Sequence, residues 1–148
     1  MKHSQPVLVT GATGYVGGRL IPQLLSAKYK VRAMGRSLSK ISCRPWARHS
    51  QVEIIEGDVS DLESMKKASQ GCWAAFYLVH SMNSKKGRFA DADRLGAQNM
   101  VIAAAEARLK KIIYLGGLGD LHDSNISEHL KSRHEVAEIL QSGPTPAT

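Results

Sequence analysis

The run Val7-Leu8-Val9-Thr10-Gly11-Ala12-Thr13-Gly14-Tyr15-Val16-Gly17-Gly18 restricts this 148-residue chain more than any other stretch of it. Apolar, β-favouring residues lead into a glycine-rich turn. Helical periodicity starts directly after it, with Val16, Leu20, Leu24 and Leu25 on one stripe. Glycine lacks the Cβ that would obstruct a tight turn, a close approach of backbone to a ligand, or contact between helix and sheet. A strand, such a turn and a helix form a βα unit whose helix start offers N–H groups to negative charge. The spacing is Gly-x-x-Gly-x-x-Gly. It predicts a pyrophosphate cradle, with Gly11, Thr13, Gly14, Tyr15, Val16 and Gly17 against a dinucleotide.

The rest of the chain repeats the alternation. Strands are predicted over Pro6 to Thr10, Lys30 to Met34, Val52 to Glu56, Ala74 to Val79 and Lys111 to Leu115, most of them nearly continuous apolar runs that suit burial on both faces. Helices are predicted from Tyr15 to Ala27, from the capping-box segment Ser60-Asp61-Leu62-Glu63 toward Gln70, from Asp91 to Ala107, and from Ser127 to Gln141. Pro22 falls inside the first of these, where it removes a hydrogen bond to the residue four earlier and favours a bend. The segments 37–50 and 81–89 carry no clear pattern. Alternating βα units predict an α/β fold: one Rossmann domain over residues 1–148, doubly wound and parallel, with sheet order 3-2-1-4-5 in three αβα layers.

Composition narrows the function classes. A hydrophobic fraction of 43% with 22% charged residues is that of a globular domain. No apolar run reaches membrane-spanning length and no signal-peptide pattern opens the chain, so a soluble cytoplasmic protein is expected. Cys43 and Cys72 stand alone and read as reduced thiols, with no metal-ligand spacing around them. The net charge of +7 is spread over short pairs such as Lys66-Lys67, Lys85-Lys86 and Lys110-Lys111. It therefore reads as a solvated surface that also suits an anionic cofactor, with nucleic-acid binding as the outside alternative.

The end of the second strand bears on which cofactor. An NAD site places an acid there to bond the ribose hydroxyls. This chain reads Lys30-Val31-Arg32-Ala33-Met34-Gly35-Arg36-Ser37, with no acid. Arg36, just past the strand, is placed to pair with a 2′-phosphate, so NADP(H) is favoured over NAD(H); Arg32 is the reserve candidate.

Together with Gly57-Asp58-Val59, Tyr77-Leu78-Val79-His80-Ser81-Met82, Asn99, Ile113-Tyr114-Leu115-Gly116-Gly117 and Ser132-Arg133-His134-Glu135, the glycine motif resembles the atypical or extended short-chain dehydrogenases/reductases, near the NmrA-like and NAD-dependent epimerase/dehydratase group. The resemblance covers essentially the whole chain. It implies that Asp58 and Val59 flank the adenine, and that Leu78, Val79, His80, Leu115 and Gly116 line the nicotinamide half. Spacing alone leaves Asp58 equally open to a turn or cap role.

The departures matter as much. Carbonyl-reducing members of that family carry a serine after the fifth strand and a Tyr-x-x-x-Lys pair on the following helix, and neither is present here. His129 and Arg133 stand four apart on one helix face as the nearest counterpart. His129 suits proton transfer, whereas Arg133 stays protonated and suits holding ribose or phosphate. His129 is also open to being an exposed helix histidine, and His80 and Tyr114 to packing. The chain stops where such relatives continue into a sixth strand and a substrate region, which predicts an uncovered edge on the fifth strand and an oligomer through that edge or the last helix. The functions implied are an NADP(H)-binding oxidoreductase or sugar-nucleotide epimerase-like domain or, without catalysis, an NmrA-like cofactor-sensing module.

Overall fold

The computed structural model describes residues 4–81, 88–120 and 122–148. Its strands are β1 (Val7–Thr10), β2 (Val31–Gly35), β3 (Val52–Glu56), β4 (Ala74–Tyr77) and β5 (Lys111–Tyr114), and its helices α1 (Tyr15–Ser26), α2 (Leu38–Ser42), α3 (Leu62–Ser69), α4 (Arg88–Glu106) and α5 (Glu128–Ser142). A 3-10 turn, Pro45–Arg48, follows α2. All strand pairs are parallel, in the order β3-β2-β1-β4-β5. This is the doubly wound Rossmann arrangement the sequence predicts. The loop 37–50, patternless in sequence, holds both short helical pieces.

Strand alternation splits the core in two. Leu8 and Met34 point to the side covered by Met65, Met100, Val136 and Leu140 of α3, α4 and α5. Val7, Val9, Val31 and Ala33 point to the other, against Ile21, Leu24, Ile41 and Trp46. Because both faces of the central strands are covered, their sequences read as continuous apolar runs. The β3 edge differs: Glu53 and Glu56 lie exposed along it, charges that discourage pairing with another chain.

Several predicted boundaries shift for identifiable reasons. The β4 ladder stops at Tyr77, short of Val79, because the next amide, Leu78 N–H, donates to the Thr10 hydroxyl at 3.1 Å instead of to a strand carbonyl. That hydroxyl in turn donates to Phe76 O at 3.2 Å, so one buried threonine ties the carboxyl ends of β1 and β4 together. The N-cap of α3 is Asp61, which accepts from Ser64 N at 3.1 Å, and not Ser60. Ser60 is instead held by Asp58, whose Oδ1 accepts from its amide and its hydroxyl. Helix α1 runs unbroken through Pro22.

The predicted bare edge on β5 is also corrected. Ile112 N–H donates to Pro146 O at 2.9 Å, Thr148 N–H to Ile112 O at 3.0 Å and Tyr114 N–H to Thr148 O at 2.8 Å. Residues 146–148 therefore pair in parallel with β5, through an Ile112–Ala147 bridge. No helix among the described residues is long and apolar enough to cross a membrane.

Candidate functional site

The three glycines of the turn after β1 do three different things. Gly11 has φ +67°, in the left-handed region, and a Cβ there would stand 2.9 Å from Leu78 O at the end of β4. Gly17 lies on α1, and a Cβ on it would stand 2.3 Å from Gly11 O, so only glycine lets the helix rest on its own turn. Gly14 is the exposed N-cap in extended conformation, where a Cβ would meet Gly11 O at 3.3 Å. No side chain caps α1. The amides of Tyr15, Val16 and Gly17 thus have no helical acceptor and sit at the positive end of the helix dipole.

Above this turn, at the carboxyl ends of β1 to β4, lies a groove of about 550 Å³. The glycine turn supplies Thr10, Gly11, Thr13 and Gly14; the end of β2 Met34, Gly35 and Arg36; the end of β3 Gly57, Asp58, Val59 and Ser60; and the end of β4 Leu78, Val79, His80 and Ser81. Asn99 of α4 donates to Val59 O at 2.9 Å, which fixes the segment after β3. Arg36 is exposed on the rim and has no ion-pair partner among the described residues. The other arginine of β2 is occupied elsewhere. Arg32 bonds Glu53 Oε2 at 2.9 Å, Ala68 O at 2.9 Å and Gln70 O at 2.6 Å, which closes the C-terminus of α3 and removes it as the reserve candidate.

At the β4 and β5 end the polar groups form a second cluster. His80 packs on Tyr114, ring centroids 5.7 Å apart, and its Nδ1 is buried without a partner among the described residues. Tyr114 donates its hydroxyl to Arg133 O at 3.3 Å. Beneath them Asp93, 7% exposed on α4, accepts from Ser81 N at 2.8 Å and from the Ser132 hydroxyl at 3.0 Å. This carboxylate therefore joins the segment after β4 to both α4 and α5. Burial pushes the Tyr114 hydroxyl up to about 12, with the Arg133 charge opposing, so it is a weak proton donor near neutral pH. His129 is engaged differently from Arg133: its ring stacks on Phe89 at 4.5 Å.

Burial, and after it the Arg133 cation, lowers the pKa of His80 from its ordinary value, with Asp93 opposing. The folded chain therefore binds a proton at His80 less readily than the unfolded chain. His80 costs stability as pH falls from the ordinary histidine range toward its lowered value, and the loss levels off below that. An NMR titration is expected to show the His80 imidazole neutral to a lower pH than a peptide histidine, and Arg133→Gln to raise its midpoint. An unchanged midpoint in that variant would mean that the guanidinium exerts no field there.

The sequence model of the NAD(P)H-binding family matches residues 11–143, from the first glycine of the turn to the end of α5. The chain belongs to that family. Like others of its kind, this NAD(P)H-binding domain is a Rossmann unit. It is 25% identical over 134 residues to cinnamoyl-CoA reductase 2 of Medicago truncatula, covering 83% of this chain and 38% of that protein. It is 30% identical over 109 residues to a putative dihydroflavonol 4-reductase of Synechocystis sp., covering 72% of this chain and 31% of that protein. The crystal structure of a Citrobacter sp. triphenylmethane reductase complexed with NADP(H) superposes with a TM-score of 0.75 at 25% identity, over 95% of this chain and 47% of that one. The chain thus spans less than half the length of these relatives.

Within the NAD(P)H-binding domain, the structure gathers Gly11, Thr13, Gly14, Arg36, Asp58, Val59, Leu78, Val79 and His80 around one groove. The other predicted residues are not in its lining, although the first-turn amides of Tyr15, Val16 and Gly17 follow directly on Gly14. The Tyr15 side chain faces a separate cavity on the outer side of α1, Val16 is exposed, and Gly17 is buried under the turn. Leu115 and Gly116 are exposed past β5 and do not line the groove themselves, but the Leu115 backbone is hydrogen-bonded to His80, which does. Met82 and the pair Lys85-Lys86 lie outside the described residues. Asp93 is not singled out by the sequence, and Ser132 enters there only as part of the run Ser132-Arg133-His134-Glu135. A signal was present for Asp93: it shares the buried stripe of α4 with Ala97, Met100 and Ala104, where an acid demands internal donors.

Proposed function

We propose that this chain holds NADP(H), in preference to NAD(H), along the groove over β1 to β4, as the cofactor half of a reductase or epimerase-type enzyme. The observation that carries the preference is Arg36. It is a cation without a carboxylate partner, on the groove rim at the end of β2, where an NAD site would carry an acid. Its guanidinium is shaped to take a 2′-phosphate with two parallel hydrogen bonds. Arg44 adds support from the 3-10 segment, donating to Thr13 O and so bringing a second cation to the edge of the same turn.

In this proposal the amides of Tyr15, Val16 and Gly17 take the pyrophosphate, and the Gly14 surface leaves room for it to approach. Asp58, with Oδ1 committed to Ser60, offers its other oxygen to the adenine amino group, beside Val59. Leu78, Val79 and His80 line the nicotinamide end. The bound dinucleotide supplies hydride transfer. The chain's part is to orient it, to keep a neutral imidazole at His80, and to hold that end rigid through Asp93 and Ser132. Arg133 and His80 are the residues we place nearest the chemistry.

The test is calorimetric titration of the chain with NADPH and NADH in parallel. NADPH is expected to bind more tightly, and Arg36→Ala to weaken it by roughly ten- to a hundredfold, as for a hydrogen-bonded charge pair, while NADH binding stays the same. Equal losses for both nucleotides would sink the phosphate role of Arg36. A second reading, cofactor sensing without turnover, is favoured by the Phe89–His129 stack and the engaged Tyr114 hydroxyl, which leave no tyrosine-type proton donor free at the β4 and β5 end among the described residues. NADPH binding without carbonyl-dependent loss of nicotinamide absorbance supports it.

A further inference from the structure

Two features of the chain have no part in the cofactor groove: the cationic excess on the side of α1, and a proline in the middle of that helix. They meet in one place. Between α1 and the segment 44–49 lies a second cavity of about 740 Å³, within the size range of small-molecule sites. Arg19, Lys28, Arg44 and His49 line it, and its lining includes neither Asp nor Glu. Four other cations are ion-paired, in Arg32–Glu53, Lys66–Glu106, Arg94–Glu135 and Lys131–Glu128. Here none of Arg19, Lys28 and Arg44 has a carboxylate partner among the described residues.

The rest of the lining suits a ring. Pro22, Leu25, Pro45 and Trp46 give an apolar floor. Tyr15 is 75% exposed, and the Arg19 guanidinium stands 3.9 Å from the centre of its ring, so a cation and an aromatic ring lie side by side in the lining. Pro22 has no N–H, so the carbonyl four residues earlier, that of Gly18, loses its helical donor, and Gly18 lies on the same wall. A basic, partly aromatic cavity is complementary to a planar ring that carries an anionic group, while the Gly18 carbonyl suits a ring N–H and not the anion.

We propose that this cavity is a second ligand site, distinct from the dinucleotide groove, for a small aromatic or heteroaromatic phosphate. Thr13 and Gly14 lie on the rim of both cavities, so the two sites are adjacent but are lined by different cations: Arg36 on one side, Arg19 and Lys28 on the other.

The probes are phenyl phosphate and inorganic phosphate, each titrated by calorimetry into the intact chain. The comparison chains are Arg36→Ala and the double variant Arg19→Gln with Lys28→Asn. Both substituted residues of the double variant are exposed, and asparagine tolerates the positive φ of 68° at Lys28, so folding is preserved. Phenyl phosphate is expected to bind more tightly than inorganic phosphate, to lose at least tenfold in affinity in the double variant, and to keep its affinity in Arg36→Ala. No binding, equal binding of both probes, or a loss confined to Arg36→Ala would overturn the proposal. So would salt-sensitive retention of DNA that depends on Arg19 and Lys28 in a chain that ignores phenyl phosphate. NADPH titration of the same preparations reports on the cofactor groove separately, so failure of one site is distinguishable from failure of the other.

Discussion

Gly17→Ala is expected to lower the thermal midpoint by about 10 °C and to abolish measurable dinucleotide binding. The added Cβ would fall 2.3 Å from Gly11 O, with Gly11 C at 3.0 Å and Ala12 Cα at 3.1 Å. All three are backbone atoms, so no side chain can swing away and the helix must lift from the turn. Overpacking of that kind costs about 3 kcal/mol. Lifting α1 also moves the free amides of Tyr15, Val16 and Gly17, which must converge to hold a pyrophosphate. Gly14→Ala is the control. Its Cβ would meet only Gly11 O, at 3.3 Å, and the residue is exposed. Its midpoint is expected to stay within about 2 °C of the parent while NADPH binding weakens, because the methyl group occupies the approach path rather than the core. Calorimetric melting and NADPH titration of the two variants decide the matter; a Gly17→Ala chain that melts with the parent would contradict the packing derived for the turn.

Arg32→Ala is expected to destabilise the fold by about 3 kcal/mol without altering the ratio of NADPH to NADH affinity. The Arg32 side chain is 14% exposed and donates to Glu53, to two carbonyls at the end of α3, Ala68 O and Gln70 O, and to the Cys72 sulfur at 3.4 Å. Truncation leaves those carbonyls without a donor at the negative end of the helix dipole. It also removes the cation that opposes the burial-driven rise of the Cys72 thiol, which stands at about 11. Urea unfolding measures the first effect and paired nucleotide titrations the second. A shift in cofactor preference in Arg32→Ala would return this residue to the phosphate site, whereas Arg36→Ala is expected to show the opposite pattern, altered preference with stability retained.

These two arginines show where sequence legibility ends. Both stand at the second strand, and neither residue type nor spacing says which one meets a ligand. The pleat would put both on one face, so place along the strand decides: Arg32, within the ladder, reaches the end of α3, while Arg36 lies past the last paired residue, Gly35, at the groove. Asp58 is a similar case. Its place after β3 was legible, but its Oδ1 bonds to Ser60 required the turn itself. The Asp93–Ser132 contact joins positions 39 apart in the chain, and local pattern carries no information about partners at that separation.

By itself the sequence determined the class of fold, the order of its strands, and the glycines that build the turn after β1. Apolar runs and helical stripes set the βα alternation, parallel crossovers take one hand, and only glycine fits the turn. The tertiary structure alone decided which cations among the described residues stay unpaired, which polar groups at the end of β4 and β5 satisfy one another, and that residues 146–148 lie along β5. Those outcomes rest on contacts between distant segments. They are set by how helices and strands pack once the chain has closed, and no short-range pattern encodes them.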